Sequence, residues 1–373
     1  MGHSLITPET LAPLRAKIGK PVQRKTMPFY TEINSDAARH FANAIGDNNP
    51  LHTDPEYGAS TRWKGQLAPP TILYSTDNAL SGAVEGLPGV HAMFAGTEFD
   101  WTGPVRIGTR IRTEVVLKDL VEHKTRFAGT AIQQIYTVKI FNRETNALLC
   151  SADSWCFRTE RDTARERGTK YGKDLEQIKP YTDAEVRDIY KQYLSEAPRG
   201  KTPLYFEDVK PGQKIGPIFK GPYTVTASIG FLQAWGSYAI HGNRIAWQYY
   251  HRHPKLAIPN DFNIPEPPVR VHWDTKFARE VGVPAPYDYG PERIAWLGHM
   301  MTDWMGDNGW LKSLHVQVRG HNLVGDLTTC VGEITGKTDG KDDGVIEAQV
   351  QATNQHGRVT AIGTATVVLP KKP

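Results

Sequence analysis

Residues 271–290 read VHWDTKFAREVGVPAPYDYG, and residues 51–70 read LHTDPEYGASTRWKGQLAPP. Each stretch has a histidine in second place, His272 or His52, and an aspartate two residues later, Asp274 or Asp54. Eighteen residues beyond the histidines stand Gly290 and Pro70. The surroundings repeat as well: ASIGFLQAWGS (227–237) resembles RHFANAIGD (39–47), and a β-rich stretch comes after each copy. Agreement of spacing and order over more than a hundred residues marks a tandem duplication of one α+β unit.

Each unit opens with a helix. SDAARHFANAIGD sets Ala37, Phe41, Ala44 and Ile45 on one face, with Ser35 as the expected N-cap. APPTILYSTDNALSGAVEGL comes next, with Pro69-Pro70 as helix-starting chemistry and Ile72, Tyr74, Leu80 and Val84 in a mostly buried pattern. Residues 98–159 hold three β-rich runs, the last two joined by the turn NRETN, and read as an antiparallel meander. Each unit is thus expected to hold a sheet of about five strands, and two such sheets side by side would form one continuous layer. Residues 159–200 are charged and poor in branched apolar side chains. They read as a linker with one amphipathic helix near Asp183–Leu194. The expected domains are therefore 1–158, a linker 159–200, and 201–373.

At 373 residues, with 39% apolar and 23% charged side chains, the chain can bury a large core. No apolar run nears the roughly 18 residues of a transmembrane helix, and the first twenty residues lack the apolar centre of a secretory signal. A cytoplasmic address and no membrane partner are the expectations. Cys150, Cys156 and Cys330 suit that address as buried thiols, and Cys150 and Cys156 lie too far apart along one strand to bridge. A net charge of +4 without a basic, aromatic-interleaved stripe gives no nucleic-acid footprint.

Within the first unit, AIGDNNPLHTDPEYGA (44–59) resembles the motif of the MaoC-like, (R)-specific enoyl-CoA hydratase family, Gly-Asp-x-Asn-Pro-Leu-His-x-Asp. LRAKIGKPV (14–22) and LAPPT (67–71) are similar to the N-terminal MaoC dehydratase domain, itself related to a fungal fatty-acid-synthase dehydratase region. The resemblance implies an α+β tandem (double) hot-dog fold, each half an antiparallel sheet wrapped around a central helix. It implies hydration of a trans-2-enoyl-CoA to a (3R)-hydroxyacyl-CoA, or the reverse dehydration. No cofactor and no metal are implied, CoA being part of the substrate.

Adding water across a conjugated thioester needs a base for water, an acid for Cα and a donor for the charge growing on the thioester oxygen. Asp47 and His52 are five apart and would not share a helical face, but Pro50 ends the helix and drives Asn49 extended, so the turn lets them converge. The resemblance gives them one joint catalytic role, with base and acid unassigned. Asn49 would hold the turn, and Asn78 stands where relatives often carry a serine bonded to the catalytic carboxylate. Asp54 can serve the site or cap the helix PEYGAS. Relatives use the N–H of a glycine at the position of Pro70; proline has none, so Thr71 is the substitute oxyanion donor. Pro70 and Tyr74 are expected to touch substrate, and Arg62, Lys64 and Arg106 are candidates for the CoA phosphates.

The second unit has the opposite composition. It keeps His272 and Gly290, but Pro267 stands five residues before the histidine and Ser237 matches the helix-end aspartate. An aromatic, proline-rich insert separates these parts, and its His241, His251 and His253 lack a second cluster that would make a metal site. The first unit is thus expected to be catalytic and the second to shape the acyl pocket. A dehydratase acting on acyl-carrier-protein substrates and a non-catalytic thioester-binding subunit are the competing readings. A homodimer is the expected assembly.

Overall fold

The computed structural model describes residues 5–22, 27–82, 86, 90–125, 129–160, 179–236 and 240–373, so Val84, Ser237 and residues 161–178 of the charged linker lie outside the described residues. In the first half, β1 (Glu32–Ile33) is followed by β2 (His91–Trp101), β3 (Thr109–Thr125), β4 (Gly129–Asn142) and β5 (Leu148–Thr159). The long strands number four rather than the three expected runs. Thr102-Gly103-Pro104 closes β2 as a strand of its own before β3 begins. The second half supplies β6 (Lys214–Lys220), a small hairpin β7 (Ile258–Pro259) and β8 (Pro265–Glu266) in the insert, then β9 (Trp310–Val318), β10 (Thr328–Asp339), β11 (Asp343–Asn354) and β12 (Val359–Pro370).

Apart from the β7–β8 hairpin, these strands form one antiparallel sheet in the order β1-β3-β4-β5-β2-β9-β12-β11-β10-β6. Five strands come from each half, and the halves meet where β2 pairs with β9, Phe99 opposite Leu314 and Thr97 opposite Val316. Gly96 permits this junction, because a Cβ there would lie 2.2 Å from the Trp155 ring and 2.6 Å from the Val316 carbonyl oxygen.

The opening helices also pair. Ser35–Ile45 and Val225–Trp235 bring Phe41 and Phe231 to a ring separation of 6.0 Å. The N-cap of the first helix is Asn34, not Ser35. The extended Asn34 accepts the Ala37 N–H at 2.8 Å, while the Ser35 hydroxyl is bonded to Gln66 Oε1. The linker helix forms at Asp183–Ser195 with a Thr182–Glu185 capping box and buries none of its residues.

The central segments differ between the halves. In the second, Gly290–Met305 is a 16-residue α-helix. In the first, Pro70–Thr76 and Asn78–Ser81 wind as 3₁₀ turns interrupted by an extended Asp77, whose carboxylate accepts the Ala79 N–H. The composition explains this: TILYSTD is rich in β-branched, hydroxyl and Asp residues, whereas GPERIAWLGHMM is rich in strong helix formers. Gly298 lets the two segments touch, its Cα side lying against the Thr71 methyl. All three cysteines are free and buried.

Candidate active site

Helix Ser35–Ile45 ends at Gly46, which takes the left-handed conformation at φ 71° that glycine tolerates best. The chain then turns through Asp47, Asn48 and Asn49. Asn49 is extended (φ −62°, ψ 120°), as a residue before proline should be, and Pro50 starts the short helix Pro50–Thr53. Two side-chain caps hold the break: Asp47 Oδ1 accepts the Asn49 N–H and Asn49 Oδ1 accepts the Leu51 N–H, both at 2.9 Å. Gln66 donates to the His52 carbonyl at 2.7 Å. The result brings His52 Nδ1 to 2.7 Å from Asp47 Oδ2, with both side chains buried. Burial alone would raise the Asp47 carboxyl. Attraction to His52 and His299, with bonds from His52 and the Asn49 N–H, outweighs it and holds the group well below its ordinary range.

Sequence reading missed the other side of Asp47. Lys220, at the end of β6 in the second half, reaches across to donate to the Ile45 carbonyl at 2.6 Å, satisfying the end of the first-half helix. The same Nζ lies 2.6 Å from His299 Nδ1. His299 Nε2 faces Asp303 Oδ2 at 3.1 Å and Asp47 Oδ1 at 3.7 Å. Burial lowers the Lys220 pKa, against the pull of Asp47, Asp303 and Glu196. The available signal was His299 and Asp303 at i and i+4 in the mostly apolar second part of the helix; nothing local marked Lys220.

Asp47, His299 and Asp303 together have the make-up of a cation site. The donor chemistry works against one: the ammonium of Lys220 claims the Nδ1 lone pair, which leaves Nε2 as an N–H aimed at the carboxylates rather than a metal ligand.

Each member of the pair borders a space of its own. Beside His52, a space of about 20 Å³, room for a single water, is lined by Asn49, Ala68, Pro70, Met305 and Trp310 among others. Beside Asp47 lies a polar crevice of about 430 Å³, bounded by Asn48, His299, Asp303 and, from the linker helix and the residues after it, Tyr193 and Glu196.

The remaining expected residues have varied settings. Pro70 borders the space at His52, while Thr71 is buried against Gly298. Tyr74 is buried in a cluster with Phe94 and Phe99 and its backbone carbonyl accepts from Trp235. Asn78 makes no bond to Asp47 among the described residues; its carbonyl accepts the Ser81 hydroxyl. Arg62 and Arg106 both lie over the Trp63 ring, at 4.8 and 5.9 Å, and Lys64 sits exposed beside them in a left-handed turn. Asp54 is a helix cap, accepting the Glu56 and Tyr57 N–H groups, and Asp274 does the same for Phe277. The aspartate shared at two residues past each histidine thus caps the following helix in both halves. In the insert, His241 and His253 pack on Tyr249.

His272 and Gly290 are at the far end of the long helix from His52. Between Gly290 and Thr302, which borders the space at His52, the helix rises about 18 Å. His272 donates from Nδ1 to the Tyr287 carbonyl at 2.7 Å, and burial lowers its pKa to about 4. No carboxylate pairs with it among the described residues.

This architecture, two five-strand units in one layer with a long helix across it, is a tandem hot-dog fold. A solved MaoC-like dehydratase superposes over 96% of this chain and all of its own with a TM-score of 0.63, at 16% identity. The family model "FAS1-like, dehydratase domain region" matches residues 20–145. The (R)-specific enoyl-CoA hydratase of Aeromonas caviae is 32% identical over 97 residues, 26% of this chain and 69% of that protein. A UPF0336 protein of Streptomyces avermitilis is 30% identical over 94 residues, 24% of this chain; the match spans 63% of that relative's length. The chain belongs to the MaoC-like family of dehydratases and (R)-specific hydratases. No described helix is long and apolar enough to cross a membrane.

Proposed function

We propose that the protein is a hydro-lyase that interconverts a 2-enoyl thioester and a 3-hydroxyacyl thioester, with CoA as the thiol carrier, at the Asp47–His52 pair. The observation that carries this reading is the 2.7 Å contact between two buried titratable groups at a purpose-built helix break. With Nδ1–H donated to Asp47, the His52 Nε2 lone pair is the proton acceptor, and the adjoining space has room for one water.

In hydration, Nε2 takes a proton from that water as its oxygen bonds to C3. The C2=C3 electrons move towards the thioester carbonyl, and the imidazolium returns a proton to C2. Asp47 keeps the ring oriented and stabilises its charged form. The Thr71 N–H, the first after Pro70, is the donor for the thioester oxygen, and Arg62 and Arg106 offer cations for the CoA phosphates. The (R) configuration is carried over from the relative named for it.

The test is loss of conjugated-thioester absorbance with crotonyl-CoA and a bulkier enoyl-CoA. Native protein is expected to turn over at least one of them. Asp47→Asn and His52→Ala are each expected to lose about a thousandfold or more in kcat with the fold retained. Near-native turnover in both variants would remove the assignment.

A further inference from the structure

Among the described residues, a sizeable apolar cavity lies away from the Asp47–His52 pair. It surrounds His272 and Gly290, measures about 360 Å³, and shares no lining residue with the space at His52. We propose that this cavity is a second acyl-thioester site, one that binds the ligand without hydrating it.

Its walls suit an acyl chain. Val90, Ala92 and Phe94 from the first half and Val271 and Val318 from the second give an aliphatic and aromatic lining. Of the charged groups in its lining, Asp288 and Arg293 neutralise each other in a buried ion pair, and Arg158 donates to Gln134 Oε1. One wall has no counterpart in the first half. The insert contributes Tyr249 and Leu256, and Pro267-Pro268 lie just beyond it. Where the first half has four residues between its helix-end aspartate and histidine, the second has an elaboration that encloses space.

Its polar groups suit a thioester. Gly290 is the first residue of a 16-residue helix, so its N–H has no partner within the helix and stands at the positive end of the helix dipole. The matching position in the first half is Pro70, which has no N–H. His272 spends its Nδ1–H on the Tyr287 carbonyl, which leaves Nε2 as an acceptor with no bond from a described residue. Gly290 and His272 both line the apolar cavity, which thus offers a donor for the thioester carbonyl and an acceptor for an amide N–H of the carrier arm. The chemistry of hydration is missing: five residues before His272 stands Pro267, and Asp288 is committed to Arg293.

The ligand class rests on the proposed function, but the site is read by binding alone, so loss of either claim leaves the other standing. Octanoyl-CoA, which has no double bond to hydrate, is titrated calorimetrically into the full chain and into Ala92→Trp, which fills the cavity. The variant is expected to bind one molecule per chain fewer than the native protein. Equal stoichiometry in the two overturns the proposal, as does a site that takes free octanoate but not octanoyl-CoA. Should Ala92→Trp not fold, ¹⁵N-histidine spectra of the native chain decide. The resonance lost in His272→Gln is expected to shift with octanoyl-CoA, and an unmoved resonance overturns the proposal.

Discussion

Lys220 Nζ lies 2.6 Å from His299 Nδ1 and the same distance from the Ile45 carbonyl. One buried cation from the second half thus closes the end of the first-half helix and supports the histidine beside Asp47. Replacing it with methionine relieves the cost of burying a charge but strands a carbonyl and a ring nitrogen. Lys220→Met is expected to lose about 1–3 kcal/mol, read as a lower midpoint in urea at unchanged slope. A variant as stable as the native chain would mean that the ammonium contributes nothing to the helix end.

Asp47 and His52 are expected to act as a unit. If Asp47 works by holding the His52 ring and its charge, removing both groups costs little more than removing one. Asp47→Asn/His52→Ala should therefore fall within about tenfold of the worse single variant in kcat/KM. Multiplicative losses would assign the two groups to separate steps.

The fold is legible because it is written twice: the paired spacings His52–Pro70 and His272–Gly290 announce a duplication, and from it come both sheets and their merger. The dyad is legible because Asn49-Pro50 is a local device whose consequences stay within six residues. Long-range partners are not. Lys220 and His299 stand 173 and 252 residues from Asp47, and only the tertiary fold brings them to it. The first-half central segment reads as a helix because Pro69-Pro70 signals a helix start, but the weak formers after it wind as 3₁₀ turns instead. The size of the cavity at His272 is illegible for a reason like that of Lys220, since β2 of the other half supplies part of its wall.

His272 makes stability depend on pH. Burial, offset in part by its bond to the Tyr287 carbonyl, lowers its pKa from 6.5 to about 4. Between those values the unfolded chain binds a proton that the native chain refuses. This contribution is fully present above pH 6.5 and is lost as pH falls towards 4, at no more than about 1.4 kcal/mol per unit. Urea midpoints of native and His272→Gln are expected to converge over that interval on acidification. Parallel curves would mean the imidazole is freely solvated.

Gly96 bears on whether the halves stay joined. Alanine there would drive its Cβ into the Trp155 ring and the Val316 carbonyl oxygen, and the latter is backbone that cannot swing away. Gly96→Ala is expected to cost about 2–3 kcal/mol through displacement of β2 from β9. Amide exchange should quicken at the β2–β9 pairs such as Phe99 and Leu314 more than at β10–β11. Uniform loss of protection would show that the junction is no weaker than the rest.

Pro70 is where the first half departs most from what its chemistry wants. It borders the space at His52, yet it is the residue at that helix start that cannot donate, and the segment behind it is a seven-residue 3₁₀ run with little dipole. The duplicated half carries Gly290 at the same spacing, so glycine fits a start of this kind. Pro70→Gly would restore an N–H next to the pair at the cost of about 1 kcal/mol in backbone entropy. With Thr71 as the donor the expected result is a fall in kcat; only if the thioester oxygen sat against residue 70 rather than Thr71 would kcat rise, about tenfold or more, with KM little changed. Melting temperature would fall by a few degrees alongside. The fall in kcat is expected because the flexible start no longer holds the Thr71 N–H. The sign of the change in kcat separates the two arrangements.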